Sequence, residues 1–367
     1  MQELLKLQKM KVNPILHIFP FHNTSEPIII AGPCSAETRE QTLSTAHQLK
    51  DSGVTIFRAG LWKPRTMPGN FEGVGYKGLE WLTQVKRETG MLIATEVATP
   101  NHVTAAIDAD VDIIWIGART VTNPFAVQEI SDELSNHNDI TVLVKNPVNP
   151  DIDLWIGALL RIYNSGVKKI GAIHRGFGTY GNQLYRNSPQ WHIPIELHRR
   201  FPNLPILCDP SHMGGKKQYI PTLSQYALDM GFNGLFIESH CDPDAALSDK
   251  EQQVTPSELK NIINSLIIRS LDDDYAEINI LREQIDQCDN DLLELMGRRM
   301  SISNEIGKLK KMKKLQVVQT DRYDTILQKM TTQASKMGLS ADFIKKLMTI
   351  IHEESVRNQI KILNEQS

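Results

Sequence analysis

A (β/α)8 TIM barrel followed by an all-α domain of three helices is the architecture this sequence predicts, and three observations carry that reading. Eight short apolar runs of the buried-strand type alternate with helical stretches between residues 28 and 254. Alternating strands and helices imply a parallel sheet. Beyond residue 272 glycine and proline nearly vanish, and apolar residues recur at the 3–4 spacing of helices.

In chain order the runs are IIIAG at 28, TIFRA at 55, MLIATE at 91, IIWIG at 113, TVLVK at 141, IGAIHR at 170, ILCD at 206 and GLFIE at 234. Eight repeats over roughly 230 residues fit a closed barrel. A doubly wound open sheet is the alternative. Residues 1–25 read as an N-terminal extension, 26–271 as the barrel and 272–367 as the helical domain. Asp272, Asp273 and Asp274 read as a linker entering a helix start, where acidic residues are favoured.

Two domains suit a chain of 367 residues. A net charge of -3 gives no reason to expect nucleic acid as a partner. No run of about 18 apolar residues predicts a membrane span. The first residues lack a signal-peptide core, so a cytoplasmic location is expected. The four cysteines, Cys34, Cys208, Cys241 and Cys288, have no disulfide-framework or CxxC spacing.

Barrel chemistry sits at the C-terminal ends of the strands. Here those ends carry Cys34, Arg58, Glu96, Arg119, Lys145, Arg175, Asp209 with His212, and Glu238. Polar loop ends are ordinary at one or two strands, but so many cations and a thiol after strictly apolar runs are not. Arg58, Lys63, Arg65, Arg119, Lys145 and Arg175 aimed into one mouth make sense around anions, and arginine suits phosphate because its fork binds two oxygens at once. Cys34, His212, Glu238 and Asp249 form a mixed S/N/O set. Such a set suits a borderline divalent cation, Mn2+ first and Fe2+, Co2+ or Zn2+ as alternatives, better than calcium or magnesium. A lone cysteine after a strand is more often packing than ligand; convergence on one face changes that weighting.

The stretches AGPCS, FRAGLWKPRT, IGART, VLVKNP, HRGF, DPSHMGG and IESHCDPDAALSD together resemble 3-deoxy-D-arabino-heptulosonate 7-phosphate (DAHP) synthases, over residues 28 to about 254. The pattern is most similar to the subgroup near 3-deoxy-octulosonate 8-phosphate synthase. The resemblance implies a metal-dependent, aldol-like condensation of phosphoenolpyruvate with erythrose 4-phosphate in the shikimate pathway. It implies Cys34, His212, Glu238 and Asp249 as metal ligands. Arg119, Lys145 and Arg175 would cradle phosphoenolpyruvate, with Arg58, Lys63 and Glu96 near its carboxylate and reacting carbon. Arg65 and Thr66 would hold the aldose phosphate, with Asp209 near its hydroxyls. Lys63 is the expected proton donor, with a depressed pKa among so many cations. Cys241 stands where related sequences more often have proline, so a second thiol near the metal is expected. The octulosonate enzymes are the rival; they resemble KANRSS where this chain has KPRT at 63–66, and their metal-independent members replace the cysteine with asparagine.

In the tail, Ile278, Leu281, Ile285, Cys288, Leu292, Leu295, Ile302, Ile306 and Leu309 form a seam that breaks at Arg299. Most of it is a bundle seam, but an arginine in such a seam is costly without an anion or partner. The last helix repeats the anomaly, its stripe of Ile344, Leu347 and Ile351 continuing through Ser355 and Gln359. LREQID, LLELMGRRMSISNEIGKLK, DRY and HEESVRNQ resemble the all-helical chorismate mutase over residues 278–363. That resemblance implies contacts to chorismate from Arg282, Arg299, Lys310, Arg322, Ser355 and Gln359. Lys310 and Gln359 would stabilise charge on the ether oxygen of a unimolecular rearrangement. Gln319 and Tyr323 stand where that family usually has acidic residues. A helix over 275–312 spans roughly 55 Å, too long for a domain of about 13 Å radius of gyration to cover. A homodimer through the tail is therefore expected, with Arg282 serving the partner's pocket. The alternative reading makes the tail a dimerising sensor of chorismate or prephenate; a plain phosphosugar-binding barrel is a third reading, which the four metal-type side chains disfavour.

Overall fold

The computed structural model describes residues 26–64, 69–180, 184–269, 276–318 and 320–364. It divides into two compact units between Leu271 and Asp272.

In the first unit eight strands close into a barrel: β1 (Ile28–Gly32), β2 (Ile56–Arg58), β3 (Leu92–Val97), β4 (Ile113–Ile116), β5 (Thr141–Lys145), β6 (Ile170–His174), β7 (Ile206–Cys208) and β8 (Gly234–Glu238). Each strand pairs in parallel with its sequence neighbour, and β8 closes on β1 through five registered residue pairs from Ile28↔Gly234 to Gly32↔Glu238. The open-sheet alternative is thereby excluded. The apolar runs fall on these strands because both faces are buried. Ile30, Ile56, Trp115, Leu143, Leu207 and Phe236 fill the barrel interior. A second, larger cluster lies between the sheet and the helices.

Side chains alternate along a strand. The residue two places beyond each interior apolar residue therefore faces the same lumen, one layer higher. That rule carries Arg58 beyond Ile56, Glu96 beyond Ala94, Lys145 beyond Leu143, Arg175 beyond Ile173, Asp209 beyond Leu207 and Glu238 beyond Phe236. Helix starts are capped by side chains where the mouth needs order. Asp209 caps Pro210–Gly214, and Thr255 with Glu258 forms a capping box on Pro256–Ser265.

The second unit has three helices, Ala276–Lys313, Thr320–Lys336 and Ala341–Asn364. The first runs 38 residues and ends at Lys314, which takes a left-handed φ of 55°. The last helix packs against the other two. Few side chains are buried here, among them Ser303, Ile344, Ser355 and Gln359. The seam from Ile278 to Leu309 is open, its Ile and Leu residues 40–61% exposed. Among the described residues no helix is long and apolar enough to cross a membrane.

Candidate functional site

The upper layer of the barrel is a ring of opposed charges. Arg58 is 2% exposed, lies 3.3 Å from Glu238 and donates to the Cys34 carbonyl at 3.2 Å. Its guanidinium sits between Trp115 and Phe236, 4.8 and 4.6 Å from the ring centroids. Lys145 Nζ lies 2.8 Å from Asp209 Oδ2 and 4.9 Å from the Phe236 centroid. Glu96 accepts from Trp115 Nε1 at 3.0 Å. Its Oε1 stands close to Gly117, where a Cβ would fall 2.1 Å from it; a larger residue there would displace the carboxylate. Two of the expected cations thus already carry carboxylate partners from the protein itself.

A different balance holds on the β4–β6 side. Arg175 donates to Asn187 Oδ1 at 2.8 Å, and its backbone N–H is held by Asn146 Oδ1 at 2.7 Å. Burial brings the guanidinium down to about 10; nearby Asp209 opposes this, and Arg186 and Arg119 add to it. Arg119, Arg175 and Arg186 bring three positive charges together here, a concentration that suits an anionic ligand. Arg186, which sequence reasoning missed, lines an open cavity of about 610 Å³ with Tyr185, Gly214, Lys216, Asp249 and Gln252.

The four candidate metal donors lie in one region as two pairs. Cys34 Sγ is 3.3 Å from Asp249 Oδ2, and His212 Nε2 is 3.6 Å from Glu238 Oε1. Among the described residues no three His, Cys, Asp or Glu side chains stand close enough to hold an ion as they are. Lys63 Nζ lies against Cys34 Sγ and feels the charges of Glu238 and Asp249. His212 Nδ1 is 2.8 Å from Asp209 Oδ2, and its Nε2 lies on the Glu238 side. Burial lowers the His212 pKa despite Asp209 and Glu238, so the ring is neutral and can act as a ligand. Glu238 Oε1 is buried and finds no well-directed hydrogen bond among the described residues. The donor chemistry therefore fits a borderline divalent cation.

Two expectations are corrected. Burial alone would lower the Lys63 pKa, but Cys34, Glu238 and Asp249 outweigh it and leave the pKa raised, not depressed. The neighbours that matter are Glu238, Asp249 and the Cys34 sulfur, not the other cations. Cys241 does not join the metal set: its N–H donates to Thr45 Oγ1 at 3.2 Å and its Sγ rests 3.8 Å from the Gln41 carbonyl. Asp209, expected against the aldose, is fully buried, and its oxygens accept from Lys145 and from the His212 backbone. Arg119 is exposed at the start of the short helix Ala118–Val121. Arg65 and Thr66 lie outside the described residues.

The helical unit builds a second polar site. Arg299 donates to Ser355 Oγ at 2.6 Å, and Lys310 lies 3.3 Å from Gln359 Oε1. Gln359 Nε2 donates to Ser303 Oγ at 2.9 Å. Ser303 is 6% exposed and was not singled out from sequence, because it sits among exposed seam residues. Tyr323 stacks on His352 at 4.3 Å and bonds Thr349 at 2.9 Å. Arg282 is at the exposed end of the long helix, 3.3 Å from Asn279 Oδ1. The Arg322 side chain and Gln319 lie outside the described residues.

The family model described as DAHP synthetase I matches residues 22–269, more than half of the chain. The chain belongs to the DAHP synthetase I family. The model described as chorismate mutase type II matches residues 281–360, so a chorismate mutase domain follows the DAHP synthase barrel. A curated phospho-2-dehydro-3-deoxyheptonate aldolase of Thermotoga maritima is 35% identical over 238 residues, 65% of this chain and 68% of the relative. A 2-dehydro-3-deoxyphosphooctonate aldolase of Desulfatibacillum aliphaticivorans is 28% identical, covering 65% of this chain and 90% of the relative. The crystal structure of DAHP synthase from Thermotoga maritima superposes with a TM-score of 0.59 at 34% identity, over 65% of this chain and 68% of that one. The DAHP synthase family is metal-dependent.

Proposed function

We propose that the barrel condenses phosphoenolpyruvate with erythrose 4-phosphate to give DAHP, and that the helical domain rearranges chorismate to prephenate. The observation that carries the first half is the concentration of Arg119, Arg175 and Arg186 beside the candidate metal donors. It provides for a phosphorylated anion next to an electrophile's activating site.

In this reading Arg119, Arg175 and Lys145 bind phosphoenolpyruvate, with Arg58 and Glu96 beneath its reacting end. Arg65 and Thr66 take the aldose phosphate. Asp209 acts through Lys145 and His212 rather than on the aldose. Cys34, His212, Glu238 and Asp249 would hold Mn2+ first, or Fe2+, Co2+ or Zn2+. The cation, when bound, supplies Lewis-acid polarisation of the aldehyde oxygen. Lys63, protonated at neutral pH, is placed to deliver a proton from Nζ to the new alkoxide.

In the helical domain Arg299 and Lys310, with Arg282 and Arg322, would fix the two carboxylates of chorismate, assisted by Ser355 and Gln359. No nucleophile is required for a pericyclic step, so orientation and charge stabilisation suffice. The open seam from Ile278 to Leu309 supports a homodimer through the long helix. A second reading, a mutase pocket that also senses prephenate, is favoured by the Tyr323–His352 stack where relatives place an acid. An assay of the purified chain tests the main proposal: phosphate release with phosphoenolpyruvate plus erythrose 4-phosphate, beside chorismate consumption. Lack of either activity removes that half.

A further inference from the structure

We infer that the adjacent glutamines Gln252 and Gln253 are positioning residues that hold three of the four proposed metal ligands through one loop. The inference rests on Cys34, His212, Glu238 and Asp249 being those ligands. Gln252 and Gln253 are 1% and 0% exposed. Neither touches the reacting centre, and neither was singled out from sequence.

Each amide uses both of its ends. Gln252 Nε2 donates to Glu238 Oε2 at 2.6 Å, while Gln252 Oε1 accepts from Arg186 Nη1 at 2.8 Å. The same Arg186 nitrogen donates to Asp249 Oδ1 at 2.9 Å. Gln253 Oε1 accepts the backbone N–H of Cys34 at 2.9 Å, and its Nε2 donates to the Ser248 carbonyl at 2.9 Å. One oxygen of Glu238 and one of Asp249 are thus occupied. Of the remaining oxygens, Asp249 Oδ2 faces Cys34 Sγ, and Glu238 Oε1 lies between Arg58 Nη1 at 3.3 Å and His212 Nε2 at 3.6 Å.

The residue type is dictated by this arrangement. A glutamate at 252 would have no donor for Glu238, and a methionine would have no donor and only a weak acceptor. The loop is itself anchored. Ser248 Oγ meets Ser35 Oγ at 2.9 Å beside Cys34, and Val254 bonds the Glu238 carbonyl at 3.1 Å. Between these anchors Asp249 adopts φ +47°, an uncommon conformation for a non-glycine residue, which the surrounding bonds must enforce. His212 stands apart, since Asp209 sets it.

The test is Mn2+ binding to the purified full chain, followed by the electron paramagnetic resonance of free Mn2+, together with the visible spectrum of the Co2+-loaded protein. Gln252→Met is expected to weaken Mn2+ about 10- to 100-fold, the usual cost of losing a ligand's outer partner, and to shift the Co2+ bands. Arg186→Met, half-exposed and therefore tolerant of replacement, is expected to weaken Mn2+ as well. The double variant should lose less than the product of the two, because both act through one relay. Cys34→Ala separates the premises. If Cys34→Ala binds Mn2+ like the parent, the ligand assignment fails and this inference with it. If Cys34→Ala loses Mn2+ while Gln252→Met and Arg186→Met stay within about twofold of the parent, the ligands stand and the positioning role is overturned. A lowered melting temperature with unchanged Mn2+ affinity and Co2+ spectrum likewise overturns it.

Discussion

Lys63 Nζ lies 2.5 Å from Cys34 Sγ and 3.2 Å from the Cys34 carbonyl oxygen. The thiol beneath that ammonium is fully buried. Burial, with Glu238 and Asp249, pushes the Cys34 pKa up to about 12, although Lys63 and Arg58 pull the other way. A thiol so placed keeps its proton at neutral pH until a stronger positive charge arrives, and a metal takes only the thiolate. Mn2+ binding at pH 7–8 should therefore release about one proton per site. Calorimetry in buffers of different ionisation enthalpy measures it. Cys34→Ser should abolish the release; a parent protein that binds Mn2+ without releasing any proton contradicts the thiolate assignment.

The KPRT stretch at 63–66 distinguishes the aldose. Erythrose 4-phosphate should be turned over with a higher kcat/KM than arabinose 5-phosphate. The two sugars are to be compared on the same preparation. A higher value with the five-carbon sugar would move the barrel to the octulosonate branch.

Stability should fall in mild acid because of His174. Its ring lies fully buried among Trp155, Phe177, Trp191 and Phe232. Burial, with a smaller push from Arg175, brings its pKa from 6.5 to about 3. The folded pKa is below the unfolded one, so the neutral ring's stabilisation is complete above pH 6.5 and is lost as pH falls toward 3. Each pH unit in that window costs about 1.4 kcal/mol, or about 2 kcal/mol between pH 6.5 and 5. The five tryptophans all lie in the barrel, so denaturant melts read by their fluorescence report this unit. His174→Phe should flatten the slope; an unchanged slope would show that other groups set it.

The eight strands could be located from sequence because parallel strands covered on both sides are continuous apolar runs. The polar residues that end them could be found for the same reason, and alternation explains why Arg58, Lys145 and Glu238 share one lumen. What could not be read was which charges would meet. Lys63 was assigned among cations, yet it lies against Cys34, Glu238 and Asp249. Arg186, Asn146, Asn187 and Gln252 occupy loops with no apolar period to mark them, and only the folded register brings them to the site. In the tail, the break at Arg299 was visible because the seam around it is regular. Ser303 was not, since a serine on an exposed face carries no signal until Gln359 reaches it.

Arg299→Ala should lower mutase kcat/KM roughly 10- to 100-fold, the cost of losing charge-assisted hydrogen bonds to a carboxylate. The helix should tolerate the change, because Ser355 keeps its bond to the Ile351 carbonyl at 2.8 Å. Circular dichroism melts beside the kinetics separate the two effects. A large loss of thermal stability with little loss of turnover would make Arg299 structural.

Two chemistries in one chain can be separated by one variant in each unit, assayed for both reactions. Arg175→Met should abolish DAHP formation, and EDTA should do the same to the parent until Mn2+ is restored, with chorismate consumption unchanged in both cases. Arg299→Ala should give the reverse pattern. Full DAHP synthesis by Arg175→Met, or after exhaustive chelation, would contradict the assignment of the barrel's site.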